Sequence, residues 1–447
     1  MKNEKRAWIY DTLFIAVLLV AVYLRFTGSD WGDLQHQHPD ELFLTSVTYD
    51  IAPLGTGSDV LGPAPTVASN TWREKYPKIY TDCKEWGGYF DTACSPLNPQ
   101  NRGHTFYVYG TLPLVIVRYT AEWFDKLSDL KLYGRQLSAG ADLLTILLLY
   151  IIALRLYNRK VALLAAAFST LAVTQIQQSH FYTTDNFSTL FMFLAILFAV
   201  EILVYGKPKA TNKPFDLSVI NRSYVLPFGH VPEMEDKSID PDPEPKVEKA
   251  PEVERRASSP PAWMRLLRDP LLSPKGMLWY TVAFGVSFGL AVASKLTAAP
   301  LALLLPGAFL LRSVRQADDD TVTVDKLNWN KFLMYMVIGG FVALLSFRVF
   351  QPYAFSGLLP NTAWIDNIKE QRAQATPDSD IPWNLQWARR THLYSFENLT
   401  LWGLGLPLGI LAWVGFLWMG WRIVRGSLRP HVLLWGWTAL YFGWQSM

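Results

Sequence analysis

Cysteine is nearly absent: Cys83 and Cys94 are the only two in 447 residues, and no paired Cys or His spacing of a metal finger exists. An excess of one charge is lacking too. Lys and Arg number 41 against 38 Asp and Glu, a net +3, without the basic footprint of a nucleic-acid binder. No internal repeat is present, and no apolar block shows the dyad alternation of a membrane β-barrel. What remains is 50% hydrophobic and 14% aromatic, far too apolar and aromatic for a disordered chain. The averages look almost soluble, so the distribution along the chain decides the class.

The apolar residues lie in blocks with the charges between them. A bilayer core about 30 Å thick takes roughly 17–25 apolar residues per helix. Nine blocks are read as spans, at about 8–25, 137–156, 161–178, 187–205, 277–294, 296–311, 332–350, 401–421 and 431–447. Unpaired backbone groups are not tolerated in lipid, so these are expected to be helices. Trp8, Trp123, Trp279, Trp402 and Trp421 stand at block edges, where amphipathic rings favour the membrane–water interface. Lys2, Lys5 and Arg6 precede the first block, as in a signal peptide, but Tyr23-Leu24-Arg25-Phe26 is no small-residue cleavage site, so it is read as retained. The fold class expected is an all-α polytopic membrane protein.

Orientation follows from Lys and Arg in short loops. Arg155, Arg159 and Lys160 separate blocks two and three. Arg312, Arg315, Lys326 and Lys331 follow block six, and Arg422, Arg425 and Arg429 follow block eight, whereas 179–186 has no basic residue. All the basic loops share one side if the N-terminus is cytoplasmic. Residues 26–136 and 348–400 are then outside loops. Residues 206–275 lie inside and hold 12 of the 28 prolines, a composition expected to form a flexible linker. Three regions result: an N-terminal core at 1–205, the linker at 206–275, and C-terminal helices at 276–447. The apolar segment 105–124 is interrupted by Gly110, Pro113 and Arg118. It is placed on the outer surface as an interfacial helix, because a spanning reading would move every later basic loop across. Cys83 and Cys94 lie outside, where a disulfide is expected; two reduced loop thiols are the alternative.

Three polar constellations stand out. Gln35-His36-Gln37-His38-Pro39-Asp40-Glu41 follows the first helix. Helix initiation alone would account for Pro39, Asp40 and Glu41, while His36 and His38 with Asp40 lack a well-defined zinc spacing. Ser179-His180-Phe181-Tyr182-Thr183-Thr184-Asp185 contains one acid, Asp185, which as a helix N-cap would need no function. The topology nevertheless puts Asp40 and Asp185 on one face, which would suit base catalysis and substrate orientation. Lys295 follows Ser294 at the outer end of the fifth block, and Arg348 nears the outer end of the seventh. Each would snorkel to the interface or hold a lipid phosphate. Arg135 opens the second block two turns above Asp142, and the two are expected to pair structurally.

Taken in order, these pieces resemble the GT-C superfamily of integral-membrane glycosyltransferases, in its protein O-mannosyltransferase and aminoarabinose-transferase branch. The resemblance rests on Asp40-Glu41, Tyr109-Gly110-Thr111-Leu112-Pro113, Arg135-Gln136-Leu137-Ser138-Ala139, Asp185, and Gly289-Leu290-Ala291-Val292-Ala293-Ser294-Lys295. The form His38-Pro39-Asp40-Glu41 is also similar to a motif of lipid-linked-oligosaccharide and GPI-anchor mannosyltransferases. The resemblance covers roughly residues 8–350 and implies a GT-C-like helix bundle with large outside loops.

It further implies transfer of a hexose such as mannose from a polyprenyl-phosphate carrier to an acceptor hydroxyl, with inversion. Asp40 would be the general base, Glu41 would orient it or the acceptor, and Asp185 would position sugar or acceptor. Lys295, Arg348 and Arg135 would hold the lipid phosphate, and His38, His180, Tyr182 and Tyr109 would touch acceptor or sugar. The expected partners are the bilayer, the polyprenyl-phosphate sugar and an acceptor protein, lipid or glycan, with no nucleic acid. No cofactor or metal is expected to be required, although His36 and His38 leave a divalent ion open. The insert at 206–275 and the long first loop depart from the family pattern, and the chain, stopping at an apolar block, is expected to be truncated. The competing reading is a transporter or lipid flippase, which usually places ionisable groups at the bilayer midplane in repeated halves.

Overall fold

A computed structural model describes residues 2–32, 35, 38–54, 70–81, 83–205, 276–316, 322–324, 327–374, 390–426 and 428–446. The expected flexible linker at 206–275 and His36 lie outside the described residues. The first helix is α1 (Lys2–Phe26), and the first long loop carries α2 (Pro39–Asp50), α3 (Asn70–Lys75) and α4 (Leu112–Trp123). Then come α5 (Leu130–Leu156), α6 (Arg159–Leu171), α7 (Val173–Ser179) and α8 (Asp185–Val204). Beyond the linker lie α9 (Met277–Ser294), α10 (Leu304–Ser313) and α11 (Trp329–Phe350). The remainder forms α12 (Thr362–Gln374), α13 (Leu393–Asn398), α14 (Leu406–Val424) and α15 (Leu428–Ser446). The described β-structure is two short antiparallel hairpins, β1 (Val314–Gln316) with β2 (Val322–Val324), and β3 (Phe355–Ser356) with β4 (Leu359–Pro360).

The chain is an all-α multi-pass membrane protein. Among the described residues, seven helical stretches are long and apolar enough to cross a bilayer, or eight with α6 and α7 taken as one broken span. Three expectations change. The block at 161–178 is no straight helix, because α6 and α7 meet at 59° around Ala172. The block at 431–447 becomes α15, which is not among those stretches; Arg429, His431 and Thr438 dilute its apolar residues. The sixth span starts as a tight 3₁₀ stretch, Leu296–Leu303, with Pro300 inside it. By contrast, α4 spans 12 residues. At 1.5 Å per residue that is about 18 Å, short of the roughly 30 Å hydrocarbon core.

The helices on either side of the linker share one core. Ile152 of α5, Ala195, Ala199 and Ile202 of α8, Phe284 of α9 and Tyr335 of α11 are buried in a single cluster. A buried ionic cluster fixes the bend in α6–α7. Arg25, fully buried at the end of α1, donates from Nε to Asp142 at 2.6 Å and to the Thr170 and Ser169 carbonyls at 2.8 and 3.1 Å. Those carbonyls end α6, whose orphan acceptors need donors. Asp142 thus pairs with Arg25, and the expected Arg135–Asp142 pair does not form.

Both long loops gather at one end of the bundle and interlock there. Tyr76 donates to Asp366 at 3.0 Å, Asn367 donates to the Thr105 carbonyl at 2.9 Å, and Thr111 N–H donates to Gln351 Oε1 at 2.6 Å. Cys83 and Cys94 form the expected disulfide, with Cα atoms 5.8 Å apart. The loop they close reaches α11, where Tyr89 donates to the Val349 carbonyl at 2.9 Å, and just after it the Ser95 hydroxyl lies 2.9 Å from that of Tyr353, beyond α11.

Candidate active site

Asp40 and Glu41 occupy the first turn of α2, whose N-cap is His38 and whose first residue is Pro39. The His38 ring accepts from the Glu41 N–H at 3.4 Å and lies 4.5 Å from the Phe181 ring. A helix N-terminus favours anionic side chains, but neighbouring residues project about 100° apart, so the two acids have different surroundings.

Glu41 points inward and is fully buried. Its two oxygens accept from Nε and Nη2 of Arg135, likewise fully buried, at 2.7 and 2.8 Å. The Tyr182 N–H also donates to Glu41, at 2.9 Å. Arg135 spends Nη1 on the Ser29 and Trp31 carbonyls and stacks over the Trp31 ring at 5.0 Å. One planar, bidentate pair therefore ties α2, α5, the end of the α1–α2 connection and the turn before α8 together. Burial this complete places both residues away from any approaching ligand, in contrast to the expected roles of orienting acid and phosphate binder. Tyr182 is buried with them, its hydroxyl 2.8 Å from Thr48, rather than open to acceptor or sugar. Gly134 makes room for it, since a Cβ there would lie 2.6 Å from the Tyr182 ring. The far end of α2 is pinned as well. Arg102 and Arg118 donate to the Asp50 and Tyr49 carbonyls at 2.5 and 2.9 Å, cations placed where the helix dipole favours them.

Asp40 is half-buried and lies close enough to Tyr109 to act on its phenol. Burial first, then the Asp40 charge and hydrogen bond, with Asp185 adding to them, raises the Tyr109 phenol well above its ordinary value. That phenol therefore feels both carboxylates. Among the described residues Asp40 has no ion-pair partner, unlike Glu41 and Asp185.

Asp185 is the first residue of α8, after an N-cap Thr184 that makes no side-chain cap bond. Its carboxylate accepts from Lys295 Nζ at 2.5 Å, with both side chains half-buried. Lys295 is the extended C-cap of α9, where its charge meets the negative end of the helix. The strand of chain carrying Tyr109 is anchored beside it. Gly110 N–H donates to the Ser294 carbonyl at 3.2 Å, and a Cβ at Gly110 would lie 2.0 Å from the Ala293 carbonyl oxygen. Glycine is the residue that allows this backbone approach.

The remaining expected contacts separate. Both ring nitrogens of His180 lie at backbone carbonyls, Ile176 at 2.7 Å and Thr27 at 3.0 Å. Arg348 donates to the Gly357 carbonyl at 3.0 Å and lies over the Phe90 and Phe355 rings. Its contacts are with the β3–β4 hairpin, not with Asp40, Asp185 or Lys295. Among the described residues no three His, Cys, Asp or Glu side chains converge as metal ligands. The structural weight of Arg25, Arg102, Arg118 and Gly134 was missed in the sequence reading, which gave Arg25 and Arg118 only negative roles. Their signal is an arginine in or beside an apolar block, which demands an acceptor inside the fold.

Residues 115–211 match the family described as dolichyl-phosphate-mannose-protein mannosyltransferase. The stretch runs from α4 through α8 and holds Arg135, His180, Tyr182 and Asp185. No curated protein matches the chain. Among solved structures it is similar to the archaeal oligosaccharyltransferase AglB from Archaeoglobus fulgidus in complex with an inhibitory peptide and a dolichol-phosphate. That likeness has a TM-score of 0.42 and 13% identity over 96% of this chain and 39% of that one. The oligosaccharyltransferase of the same organism in complex with Zn and sulfate gives 0.43 and 13% over 96% and 45%. The chain thus spans less than half the length of these structures, and no residue roles are carried from them.

Proposed function

We propose that this protein is a membrane glycosyltransferase that moves a hexose such as mannose from a polyprenyl-phosphate carrier to an acceptor hydroxyl on the non-cytoplasmic face. The observation that carries the reading is the unequal fate of the acids. Glu41 is locked to Arg135, Asp142 to Arg25 and Asp185 to Lys295, while Asp40 keeps only a neutral phenol. A half-exposed carboxylate without a cation is the group free to take a proton. The family match supports a lipid-linked sugar donor.

In this reading Asp40 accepts the proton of the acceptor hydroxyl as that oxygen attacks the anomeric carbon. The bond from that carbon to the carrier phosphate breaks on the opposite side, so configuration inverts. The leaving phosphate is already a weak base and needs charge stabilisation rather than a proton. Lys295, at the outer end of α9, supplies it. The phosphate takes Lys295 from Asp185, which frees Asp185 to bind a sugar or acceptor hydroxyl. Tyr109 stays protonated and holds Asp40 toward the site. Glu41 and Arg135 act through Asp40 by fixing the first turn of α2. No step is routed through a metal.

The test is transfer from polyprenyl-phosphate mannose, in a panel with other polyprenyl-phosphate sugars, by wild type and Asp40→Asn. Loss of a positioned base costs roughly 10²–10⁴-fold, so the variant should be folded and nearly inactive. Near-normal turnover by a folded Asp40→Asn would remove Asp40 as base. The transporter alternative gains no support from the ionic pairs between spanning helices: Arg25–Asp142 is buried and spent on capping α6, and Arg155–Glu201 sits at the C-terminal ends of α5 and α8.

A further inference from the structure

The second long loop opens with the β3–β4 hairpin, which turns at Gly357 with φ +63°. Its tip is anomalous for a solvent-facing turn. Leu358 is 94% exposed and Leu359 73% exposed, and Phe90, from the disulfide-closed part of the other loop, is 52% exposed and shares Arg348 with the hairpin. Apolar side chains this bare, contributed by two separate loops, form a patch that soluble surfaces rarely carry.

Arg348 fixes the height and direction of this patch. It lies in the last turn of α11, and its guanidinium donates to the carbonyl of Gly357 at the hairpin turn while resting 5.1 Å from the Phe90 ring. Two residues before the helix end correspond to about 3 Å of helix rise, so the turn folds back level with the last turn of α11. Direction follows from helical spacing. Exposed Phe341, Leu344 and Leu345 stand at positions i, i+3 and i+4, and Arg348 at i+7 continues the same stripe. That stripe belongs to a span and faces lipid. The hairpin therefore sits over the upper end of a lipid-facing stripe, with its leucines uncovered.

We infer that the β3–β4 tip, with Phe90, is a wedge that inserts into the bilayer interface beside α11, with phospholipid as its partner. Arg348 then has the place expected of a snorkelling arginine, its aliphatic stem along the apolar stripe and its charge at headgroup level. The hairpin is closed by its own backbone pairing, Phe355 with Pro360 and Ser356 with Leu359, so insertion exposes few unpaired polar groups to lipid. The wedge would hold the interlocked loops at a fixed height above the membrane. The inference rests on α11 spanning the bilayer and is independent of the reaction catalysed.

Both native cysteines are tied in the disulfide, so Leu358→Cys carries a thiol that a bimane label can address alone. The labelled protein goes into phosphatidylcholine nanodiscs, with brominated acyl chains as the lipid quencher and iodide as the aqueous one. Phe341→Cys serves as the spanning control and Glu370→Cys, on the exposed face of α12, as the aqueous control. Leu359→Cys is a second probe should Leu358→Cys fold poorly. The expected result is bromolipid quenching at 358 several-fold above that at 370, with iodide quenching reduced in step. Iodide access at 358 equal to that at 370, with 341 quenched by bromolipid, overturns the wedge alone. Exclusion of both quenchers from 358 also overturns it, since a protein partner would then cover the tip. A lipid-inaccessible label at 341 removes the spanning reading and the wedge together.

Discussion

Replacing Glu41 by Gln deletes one negative charge and leaves nearly the same shape. Its consequence follows from the burial of the pair. Arg135 and Glu41 are both fully buried, with contacts at 2.7 and 2.8 Å, and Glu41 also accepts the Tyr182 N–H. A Gln side chain has one acceptor oxygen in place of two, so at least one of these donors is left without a partner. The larger cost is an uncompensated guanidinium in a buried site, for which removing one partner typically costs about 3–5 kcal/mol. At about 2 °C per kcal/mol, the lower end of the range for larger domains, the apparent melting temperature should fall by roughly 6–10 °C. The assay is thermal unfolding in detergent followed by intrinsic fluorescence, with 18 tryptophans as reporters. Arg135→Met should cost a similar amount. The double variant Glu41→Leu/Arg135→Met should be less destabilised than the two singles summed, because no orphan charge remains. A Glu41→Gln protein that melts within a degree or two of wild type yet loses turnover would refute the reasoning. Glu41 would then act on the reacting groups and not through the placement of α2.

Lys295→Met breaks a half-exposed ion pair, so stability should change by no more than about 1 kcal/mol. Turnover should fall about 10²–10³-fold, as when one donor to a developing anion is removed; the reverse pattern, unstable but active, would make Lys295 a mere tether. Gly110→Ala forces a Cβ against the Ala293 carbonyl and should cost about 1–3 kcal/mol, with the donor KM rising before kcat falls as the Lys295 cap shifts. Burial pushes the Tyr76 and Tyr89 phenols up to about 12 from an ordinary 10. The folded loops hold those protons more tightly than the unfolded chain, so stability present below pH 10 is lost as pH rises toward 12. The tyrosinate absorbance that Tyr76→Phe and Tyr89→Phe remove should appear together with loop unfolding; its gradual appearance near pH 10 with the fold intact would contradict it.

The spans were legible because lipid permits few alternatives: a long apolar block must close its own backbone hydrogen bonds, and α5, α8, α9 and α11 fall where the blocks lie. Where the reading slipped, a local feature overrode the block. Ala172 breaks 161–178 because Arg25 arrives from another helix to take the carbonyls that end α6. The same blindness to partners affected the site. Asp40, Glu41, Asp185 and Lys295 were visible as polar residues beside apolar runs, but periodicity says nothing of which acid meets which cation. Arg135 is seven residues from Asp142 and 94 from Glu41, yet it pairs with the distant one. Glu41 follows a helix start and points to the core, as Leu44 and Thr48 do, and the i, i+3, i+7 spacing of these three buried residues was readable. It would have assigned Glu41 to the interior and left Asp40 facing out.

That division of labour between adjacent acids gives the Tyr109 hydroxyl a definite task. Tyr109 is raised above its ordinary value by burial and by Asp40, so it keeps its proton across the working pH range and can donate to the carboxylate throughout. A hydrogen bond to a charged group contributes about 1.5–3 kcal/mol, and here it holds the carboxylate in place. In Tyr109→Phe the lost donor should therefore lower kcat about ten-fold or more, with acceptor KM little changed. A ring that only packs beside Phe43, 6.0 Å away, would not produce this pattern, because phenylalanine preserves the packing. A raised acceptor KM with kcat intact would mean that the hydroxyl serves acceptor binding, and Asp40 would owe nothing to its neighbour.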